Sequence, residues 1–407
     1  MTNLLWPGDH RAGEHMTDQA LLQSMVAVES AWLRALSTAS LAPVDCADVD
    51  LWHLVGEHDC ASLALTAEDG GNPVIGLVAL LRQRAVPAIG PWIHRGITSQ
   101  DVLDTSLMLG VRTVVNHLIA QLCEQISTLS ALAATHRATP MVARTLTQYA
   151  APTTFGAKAA GWLNGVVDAY EQLSALATPV QIGGAVGTWS ASSELAALMT
   201  GAADPAAVVD GVVRSTATTL GLDTRLPWHT TRTPVTAAAD ALVGCTDRWG
   251  RIASDVITLV RPEIAELSEP ATEERGRSSS MPHKRNPVLS ILIRRAAISA
   301  PQLAAILHTA AALANDERPD GSWHAEWDTL RTLARRTIVA GSQCSELLAG
   351  LGVHTERMAE NLSGADILGE QRAIADLVGK PPSATYFGAV DHLIDQSLDR
   401  AQRILRA

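Results

Sequence analysis

The apolar positions of this 407-residue chain recur at helical spacing over long stretches. In the clearest stretch, from Ser106 to His136, apolar residues follow one another at steps of three and four. This stripe predicts one helix of about 30 residues, roughly 45 Å long, which is typical of a long bundle. The stripe comprises Leu107, Val111, Val114, Leu118, Leu122, Ile126 and Leu129.

Four other segments share this pattern and, with the first, predict a centre of five long helices. A chain of this length is too long for one compact core, so we expect two or three domains. The predicted fold is all-α, with three domains and a central long-helix bundle. The four further helices cover roughly 155–178, 234–266, 287–314 and 328–350, and the domains cover 1–92, 93–350 and 351–407.

The composition narrows the class of protein. Apolar residues make up 47% of the chain and charged residues 18%, which is typical of a folded globular protein. The net charge of −11 argues against a nucleic-acid partner, which would need a basic face. This net charge is compatible with a small anionic substrate, because a few local cations are enough to bind one.

The five cysteines are scattered, without a CxxC pair or a metal-ligand spacing. In a chain this long they predict reduced thiols in a cytoplasmic protein and no metal site. The start of the chain has no basic region followed by an apolar stretch, so we predict no signal peptide. No run of 18 apolar residues occurs, so we also predict no membrane span.

One turn-rich segment, Glu273 to Pro287, combines a glycine, three adjacent serines and a Lys284/Asn286 pair. In an extended stretch Lys284 and Asn286 project to the same side, where a cation and an amide can hold a carboxylate. The serines could join the site if the loop closes over a ligand. The alternative is a polar linker that caps the next helix.

Four other polar segments have both a structural and a functional interpretation. The hydroxyls of Thr98 and Ser99 can cap the long helix or help its free backbone amides to bind an anion. The segment Arg144–Thr154 can supply capping groups and a salt-bridged arginine, or binding groups. In Pro227–Arg232 a histidine and an arginine flank two hydroxyls. In Asp320–Trp327 two tryptophans lie four residues apart, which indicates packing first.

Together, three of these segments resemble the motif regions of the fumarase/aspartase superfamily. The stretch Ser278–Pro287 is similar to its signature, in which two serines precede Met-Pro and a lysine and Asn-Pro follow at fixed offsets. The segments around Thr98 and Thr145–Thr154 resemble the other two regions, in the same order. Within the superfamily the chain is most similar to the bacterial 3-carboxy-cis,cis-muconate cycloisomerases, through the segments 96–102, 227–230 and 323–327.

The resemblance implies a mostly helical three-domain subunit, a homotetramer with a shared helix bundle, and active sites assembled from three subunits. It implies a small polycarboxylate substrate and no cofactor. It also implies that Ser278 removes a proton next to a carboxylate, which Lys284 and Asn286 hold. A lone serine hydroxyl has far too high a pKa for this, so the loop must place it among donors and cations.

The resemblance yields a set of candidate site residues. A tricarboxylate substrate would need three anion-binding clusters, to which the Gly183-Gly184 turn could add backbone donors. The predicted catalytic residues are Ser278, Tyr149 and His94. The predicted substrate-binding residues are Thr98, Ser99, Arg144, Thr147, Gln148, His229, Arg232, Lys284 and Asn286.

The chain departs from the superfamily pattern at the proton relay. Lyases that expel an amine or hydroxide resemble one another in a histidine where this chain has Leu146, and in an acid that we align with Ile291. A carboxylate leaving group, with a pKa of about 4, needs no such proton donor, and its attack is intramolecular. Cycloisomerases resemble one another in a histidine where this chain has Tyr149, and the superfamily usually has glycine at Arg277.

The resemblance therefore implies cycloisomerisation of 3-carboxy-cis,cis-muconate to its γ-lactone, 4-carboxymuconolactone, in protocatechuate degradation by the β-ketoadipate pathway. An alternative is a related lyase that releases fumarate from an adenylosuccinate-like or nitrosuccinate-like substrate, with Tyr149 marking the altered leaving group. A third possibility is a catalytically silent helical scaffold or binding protein. The retained Ser278, Lys284 and Asn286 argue against it.

Overall fold

A computed structural model describes residues 3–270, 272, 275–281, 283–364 and 366–406. Helices account for 66% of the chain, so the predicted helical class is confirmed. Pro282, part of the signature segment, lies outside the described residues.

The helices and strands follow one another along the chain. The first helices are α1 (Asp18–Thr38), α2 (Cys60–Gly70), α3 (Pro73–Arg84), α4 (Ser99–Thr135), α5 (Phe155–Ser174), α6 (Ser190–Thr200) and α7 (Pro205–Leu220). They are followed by α8 (Thr233–Leu259), α9 (Val288–Ala312), α10 (Gly321–Ala349), α11 (Thr355–Ser363), α12 (Gly369–Val378) and α13 (Val390–Arg406). The strands are β1 (Pro140–Thr145), β2 (Gln148–Thr154), β3 (Leu267–Ser268) and β4 (Gly352–Val353), and short 3₁₀ helices cover Asp9–Ala12, Val44–Cys46, Leu51–Leu54, Glu57–Asp59 and Gly90–Trp92.

The five long helices predicted from periodicity are present as α4, α5, α8, α9 and α10. The apolar stripe of α4 is buried along its whole length, with each of its seven residues at most 4% exposed. Helix α4 begins earlier than the stripe, at Ser99. Its start therefore lies at the Thr98-Ser99 segment, where the polar pattern allowed a helix cap.

The segment 140–154 forms an antiparallel hairpin, β1–β2, that the helical pattern did not predict. Arg144 pairs with Tyr149 in its register. The two turn residues, Leu146 and Thr147, both have positive φ, 49° and 73°. Two-residue hairpin turns favour positive φ at both positions and usually recruit asparagine or glycine for it. The sequence lacks those residues, so it carried no turn signal.

Contacts between Cα atoms divide the chain into two compact units. Unit 1 consists of residues up to 116, 176–240 and 302–335. Unit 2 consists of 117–175, 241–301 and the residues from 336 onward. The division falls within α4, α8, α9 and α10, and the domain boundaries predicted after residues 92 and 350 stay a prediction.

Each unit has its own packing. In unit 1, α1 packs against α7, and Trp32 and Trp228 are among the largest fully buried side chains. In unit 2, α5 packs against α13, and Phe155 meets Trp162 edge to face at 5.8 Å. By length and composition alone, α4 and α9 could cross a membrane, as could α6 and α7 if taken together. The absence of a span stays a prediction, although α4 buries its stripe inside the protein.

Candidate active site

The start of α4 is fixed by a buried carboxylate, Asp101. Its Oδ1 accepts hydrogen bonds from the Gly183 amide at 2.9 Å and from Gln181 Nε2 at 3.0 Å. Its Oδ2 accepts from the amides of Gly184 at 2.8 Å and Thr98 at 3.0 Å. We call these residues, with His229, the Asp101 cluster. Because the amides of Gly183 and Gly184 already donate to Asp101, they do not serve as the substrate donors that the sequence suggested.

His229 lies inside the Asp101 cluster and is only 3% exposed. Its Nε2 lies 3.2 Å from Asp101 Oδ1, and Gln181 Nε2 is 3.2 Å from the same ring nitrogen. A Cβ on Gly183 would lie 2.3 Å from the His229 ring, so glycine is required at this close approach. These contacts bury His229 among protein groups, and its role as a substrate contact stays a prediction.

A second buried group surrounds the guanidinium of Arg232. Asp104 accepts from Nη1 at 2.7 Å and from Nη2 at 3.1 Å, and Glu326 accepts from Nε and Nη2. Nη1 also donates to the carbonyl of His229. All five N–H groups of Arg232 therefore have acceptors within the chain. The substrate-binding role expected for Arg232 from the sequence stays a prediction.

Trp323 completes this group, since its Nε1 donates to Asp104 Oδ1 at 2.8 Å. Burial raises the pKa of Glu326 and the nearby Asp104 adds to the effect, while the contacts with Arg232 oppose it; the net direction is upward. We call Asp104, Arg232, Trp323 and Glu326 the Arg232 cluster. The segments that most resembled cycloisomerases thus contribute to a buried polar network.

The turn before α4 brings together three predicted residues, His94, Thr98 and Ser99. Nδ1 of His94 lies 2.6 Å from Oε1 of Glu29, on α1. Arg318 donates to Thr98 Oγ1 at 3.1 Å and so places a cation at the start of α4. Glu29 and Arg318 were not identified from sequence, because one lies on a regular helix and the other in a charged connection.

In unit 2, Arg144 is held by Glu266. The two side chains pair through Nη1–Oε2 at 3.0 Å and Nη2–Oε1 at 2.8 Å, and Asn361 Nδ2 also donates to Oε1 at 2.8 Å. Burial acts to lower the pKa of Arg144, but the bonds and charge of Glu266 outweigh it and the pKa is raised. The salt-bridged interpretation of Arg144 therefore fits the geometry. Sequence gave no signal for Glu266, which lies past the end of α8.

The exposed face of the β1–β2 hairpin carries Thr147, Gln148 and Tyr149. The Tyr149 side chain is half exposed, and the Arg144 guanidinium lies 5.3 Å from its ring centroid. Arg144 thereby supports the tyrosine from one side by a cation–π contact. The phenol group is available as a hydrogen-bond donor at the position where the histidine was expected.

We call the segment 276–286 the Ser278 loop. Hydrogen bonds join its two ends, Gly276 and Asn286. The Asn286 amide donates to the Gly276 carbonyl at 2.8 Å, and Asn286 Nδ2 donates to the same oxygen at 3.3 Å. Gly276 has φ of +76°, and a Cβ there would lie 2.5 Å from the Asn286 carbonyl oxygen. Glycine is thus required at the hinge, which accounts for tolerance of Arg277 at the next position.

The Ser278 hydroxyl lies within a turn of its own loop. Its Oγ accepts from the backbone amides of Met281 at 3.2 Å and Ser280 at 3.4 Å. Amides aimed at an oxygen stabilise negative charge on it. Two backbone amides therefore point at Ser278 Oγ, and its role as the base stays a prediction.

The remaining end of the loop leads into α9. Lys284 is exposed, and its amide donates to the Met281 carbonyl at 3.0 Å. Glu269 accepts from the amides of Leu289 and Ser290, so a protein carboxylate already occupies the start of α9. Anion binding by Lys284 and Asn286 stays a prediction, and the Asn286 side chain already donates to the Gly276 carbonyl.

The positions expected for a proton relay carry exposed apolar side chains. Leu146 is 95% exposed and Ile291 is 48% exposed. Among the described residues, no group of three or more His, Cys, Asp or Glu side chains is arranged to hold a metal ion. The catalytic and substrate-binding roles expected from the sequence stay predictions.

Comparison with known proteins identifies the family of the chain. A family model described as Lyase matches residues 65–301. Nitrosuccinate lyase of Streptomyces davaonensis is 42% identical over 93% of this chain and 81% of its own length. A 3-carboxy-cis,cis-muconate cycloisomerase of Bradyrhizobium diazoefficiens is 37% identical over 94% of this chain and 83% of its own length.

The fold comparison leads to the same group. The crystal structure of the 3-carboxy-cis,cis-muconate lactonizing enzyme from Pseudomonas putida matches with a TM-score of 0.82 at 29% identity, covering 97% of both chains. The family match spans more than half of this chain, and the relatives cover nearly all of it. The chain therefore belongs to the lyase family of the fumarase/aspartase superfamily.

Proposed function

We propose that this protein is a cofactor-free lyase that eliminates nitrite from nitrosuccinate and releases fumarate. The observation that carries the proposal is an intact Ser278 loop combined with exposed leucine and isoleucine at the relay positions, Leu146 and Ile291. An amine or hydroxide needs a proton to leave. Nitrite, like a carboxylate, is a weak base and leaves as the free anion.

Two considerations favour nitrosuccinate over the muconate substrate. The relative named for nitrosuccinate is 42% identical to this chain, against 37% and 34% for cycloisomerases. Tyr149 stands where the cycloisomerase pattern implies a histidine. A half-exposed phenol can donate a hydrogen bond to a nitro oxygen.

In the proposed reaction, Ser278 in its deprotonated form takes a proton from the carbon that does not bear the nitro group. The electron pair of that C–H bond forms the carbon–carbon double bond, and the C–N bond breaks. Nitrite leaves with the bonding pair, and Ser278 returns its proton to water. Lys284 and Asn286 hold the adjacent carboxylate and stabilise its enolate-like form.

The other predicted residues receive corresponding roles. Thr98, Ser99 and His94, with Arg318, hold the second carboxylate at the start of α4, in a site whose parts come from several copies of the chain. Thr147, Gln148 and Tyr149 contact the nitro group from the hairpin. Arg144 supports the hairpin through Glu266, and His229 and Arg232 support the start of α4.

We also propose that the chain assembles as a homotetramer with shared active sites in the cytoplasm. Helix α9 and its end expose four large apolar side chains at steps of seven and eight, which form one stripe. A water-facing stripe of this kind is typical of a helix packed against another copy. These residues are Ile291, Ile298, Ile306 and Leu313.

A second candidate is cycloisomerisation of 3-carboxy-cis,cis-muconate to its γ-lactone in protocatechuate degradation. The 37% identical relative and the fold match of TM-score 0.82 favour it. The same missing relay suits this reaction, because the leaving group is the substrate's own carboxylate.

The test is to give the purified protein nitrosuccinate, 3-carboxymuconate and adenylosuccinate separately. Equimolar nitrite and fumarate from the first would support the leading proposal. Loss of the diene absorbance with the second alone would replace it by the cycloisomerase. Light scattering during gel filtration would measure the assembly, and a monomer would overturn the shared-site proposal.

The matched variants are Ser278→Ala and Ser280→Ala. Removing the proposed base should lower kcat by about 10²- to 10⁴-fold. The Ser280 variant keeps the amide that donates to Ser278 Oγ, so its activity should stay within a few-fold of the parent. Full activity of the Ser278→Ala protein would exclude this serine as the base.

A further inference from the structure

Glu29, on α1, is a buried carboxylate whose described partner is His94. Its side chain is fully shielded, and Oε1 lies 2.6 Å from His94 Nδ1. In the described part of the chain, the buried Oε2 has no hydrogen-bond partner. A buried carboxylate with an unpartnered oxygen is costly to fold. The contact with His94 therefore calls for an explanation beyond packing.

The backbone around His94 is held in an unusual shape. His94 has φ of +62°, the left-handed region that side chains other than glycine rarely adopt. Three neighbouring backbone carbonyls accept hydrogen bonds from side chains on separate elements of unit 1. Arg82 donates to Ile93 O at 2.7 Å, Trp32 to Arg95 O at 2.6 Å and Ser192 to Gly96 O at 2.8 Å.

Such strain persists only where the surroundings over-determine it, and it is concentrated at functional sites. The strain here has a geometric result. It turns the His94 ring onto Glu29 while 17% of the side chain stays exposed.

We propose that Glu29 is a positioning residue that orients His94 toward substrate. This inference rests on the proposed function of the lyase site. Glu29 accepts the Nδ1–H of His94 and fixes the ring, which leaves Nε2 free of that contact on a side chain that stays partly exposed. In the imidazolium form, which the Glu29 carboxylate balances in charge, Nε2–H donates to a carboxylate oxygen of the substrate.

The experiment compares Glu29→Gln, His94→Gln and the double variant in steady-state turnover. Glu29→Gln keeps the size of the side chain and removes its charge. We expect KM to rise by about 10- to 100-fold with kcat little changed. The double variant should be no worse than His94→Gln alone, because Glu29 acts through the histidine.

Asp240→Asn is the matched control. Asp240 makes an exposed contact of 2.9 Å with His308, so the same loss of charge beside a histidine should leave turnover unchanged. Additive losses in the double variant, or an equal fall in kcat for all variants, would overturn the proposal. Titration of the parent and Glu29→Gln with fumarate gives a second readout, in which the variant should bind more weakly by a similar factor. Equal fumarate affinity would also overturn it. If the parent protein does not turn over nitrosuccinate, the proposed function is wrong. The fumarate titration still tests the positioning role of Glu29 in that case.

Discussion

The Arg232 cluster and the Ser278 loop contain similar kinds of side chain but differ in their surroundings. Both combine cationic and hydrogen-bonding groups. Arg232 is buried, and two carboxylates and a carbonyl accept all its N–H groups. Lys284 is exposed, and Ser278 Oγ accepts only backbone amides of its own loop among the described residues.

The difference shows that a charge is available for chemistry only where the fold has not already neutralised it. A buried ion pair is costly to break, because the remaining group stays charged and unpaired. An exposed ammonium on a loop is cheap to move and can pair with a substrate carboxylate. We therefore expect substitutions in the first region to affect folding and those in the second to affect turnover.

Arg232→Met should have the largest effect. It leaves Asp104 and Glu326 buried together without a cation, so we expect the free energy of unfolding to fall by about 3–5 kcal/mol. Urea unfolding, monitored by circular dichroism, would measure this free energy. Arg225→Met, at an exposed position of the same connection, should change little. Equal stability of the two variants would remove the distinction between the regions.

Lys284→Met should leave stability unchanged and lower kcat/KM by about 10- to 100-fold, the loss expected for one charged hydrogen bond. Steady-state kinetics beside a thermal unfolding curve would separate the two effects. His283→Ala alters the neighbouring exposed side chain and serves as control. A fall in the melting temperature of the Lys284 variant would give that lysine a structural role.

Gly276→Ala tests the hinge of the Ser278 loop. The left-handed backbone costs alanine about 1–2 kcal/mol, and its Cβ would meet the Asn286 carbonyl at 2.5 Å. We expect kcat/KM to fall by roughly 5- to 30-fold as the loop loses its shape. Gly211→Ala, in α7 with open space around its Cβ, should keep full activity.

Thr147→Gly should have the smallest effect and the opposite sign. Thr147 has φ of +73° in the hairpin turn, so glycine should raise the melting temperature by relieving roughly 0.5–1 kcal/mol of strain. Thr145→Gly makes the same replacement within the strand β1, where it should lower the melting temperature. A loss of stability in the Thr147 variant would mean that its side chain makes a stabilising contact.

The helical frame follows from the sequence because local periodicity determines it. The stripe from Leu107 to Leu129 is buried as its spacing predicts. The β1–β2 hairpin could not be predicted, because Leu146 and Thr147 adopt positive φ without the residues that normally signal it. Tertiary context outweighs local preference there.

The residues of the candidate site stay predictions, and the sequence did not indicate their partners. The Ser278 loop stood out because its residue types recur in one short segment. The carboxylates that neutralise the two arginines come from distant segments, such as Glu266 for Arg144 and Glu326 for Arg232. No local sequence pattern indicates a partner about 100 residues away. The sequence therefore predicted both arginines as substrate-binding residues.

The hydrogen bonds of Asp101 bear on how the substrate range of this enzyme could be changed by laboratory evolution. One carboxylate joins the start of α4 to the 181–184 turn, so replacing it would demand simultaneous repair at several positions. A single substitution of Asp101 is therefore expected to disrupt the start of α4. Libraries that vary residues 146–149 instead change side chains proposed to contact the substrate, while the Asp101 cluster stays intact.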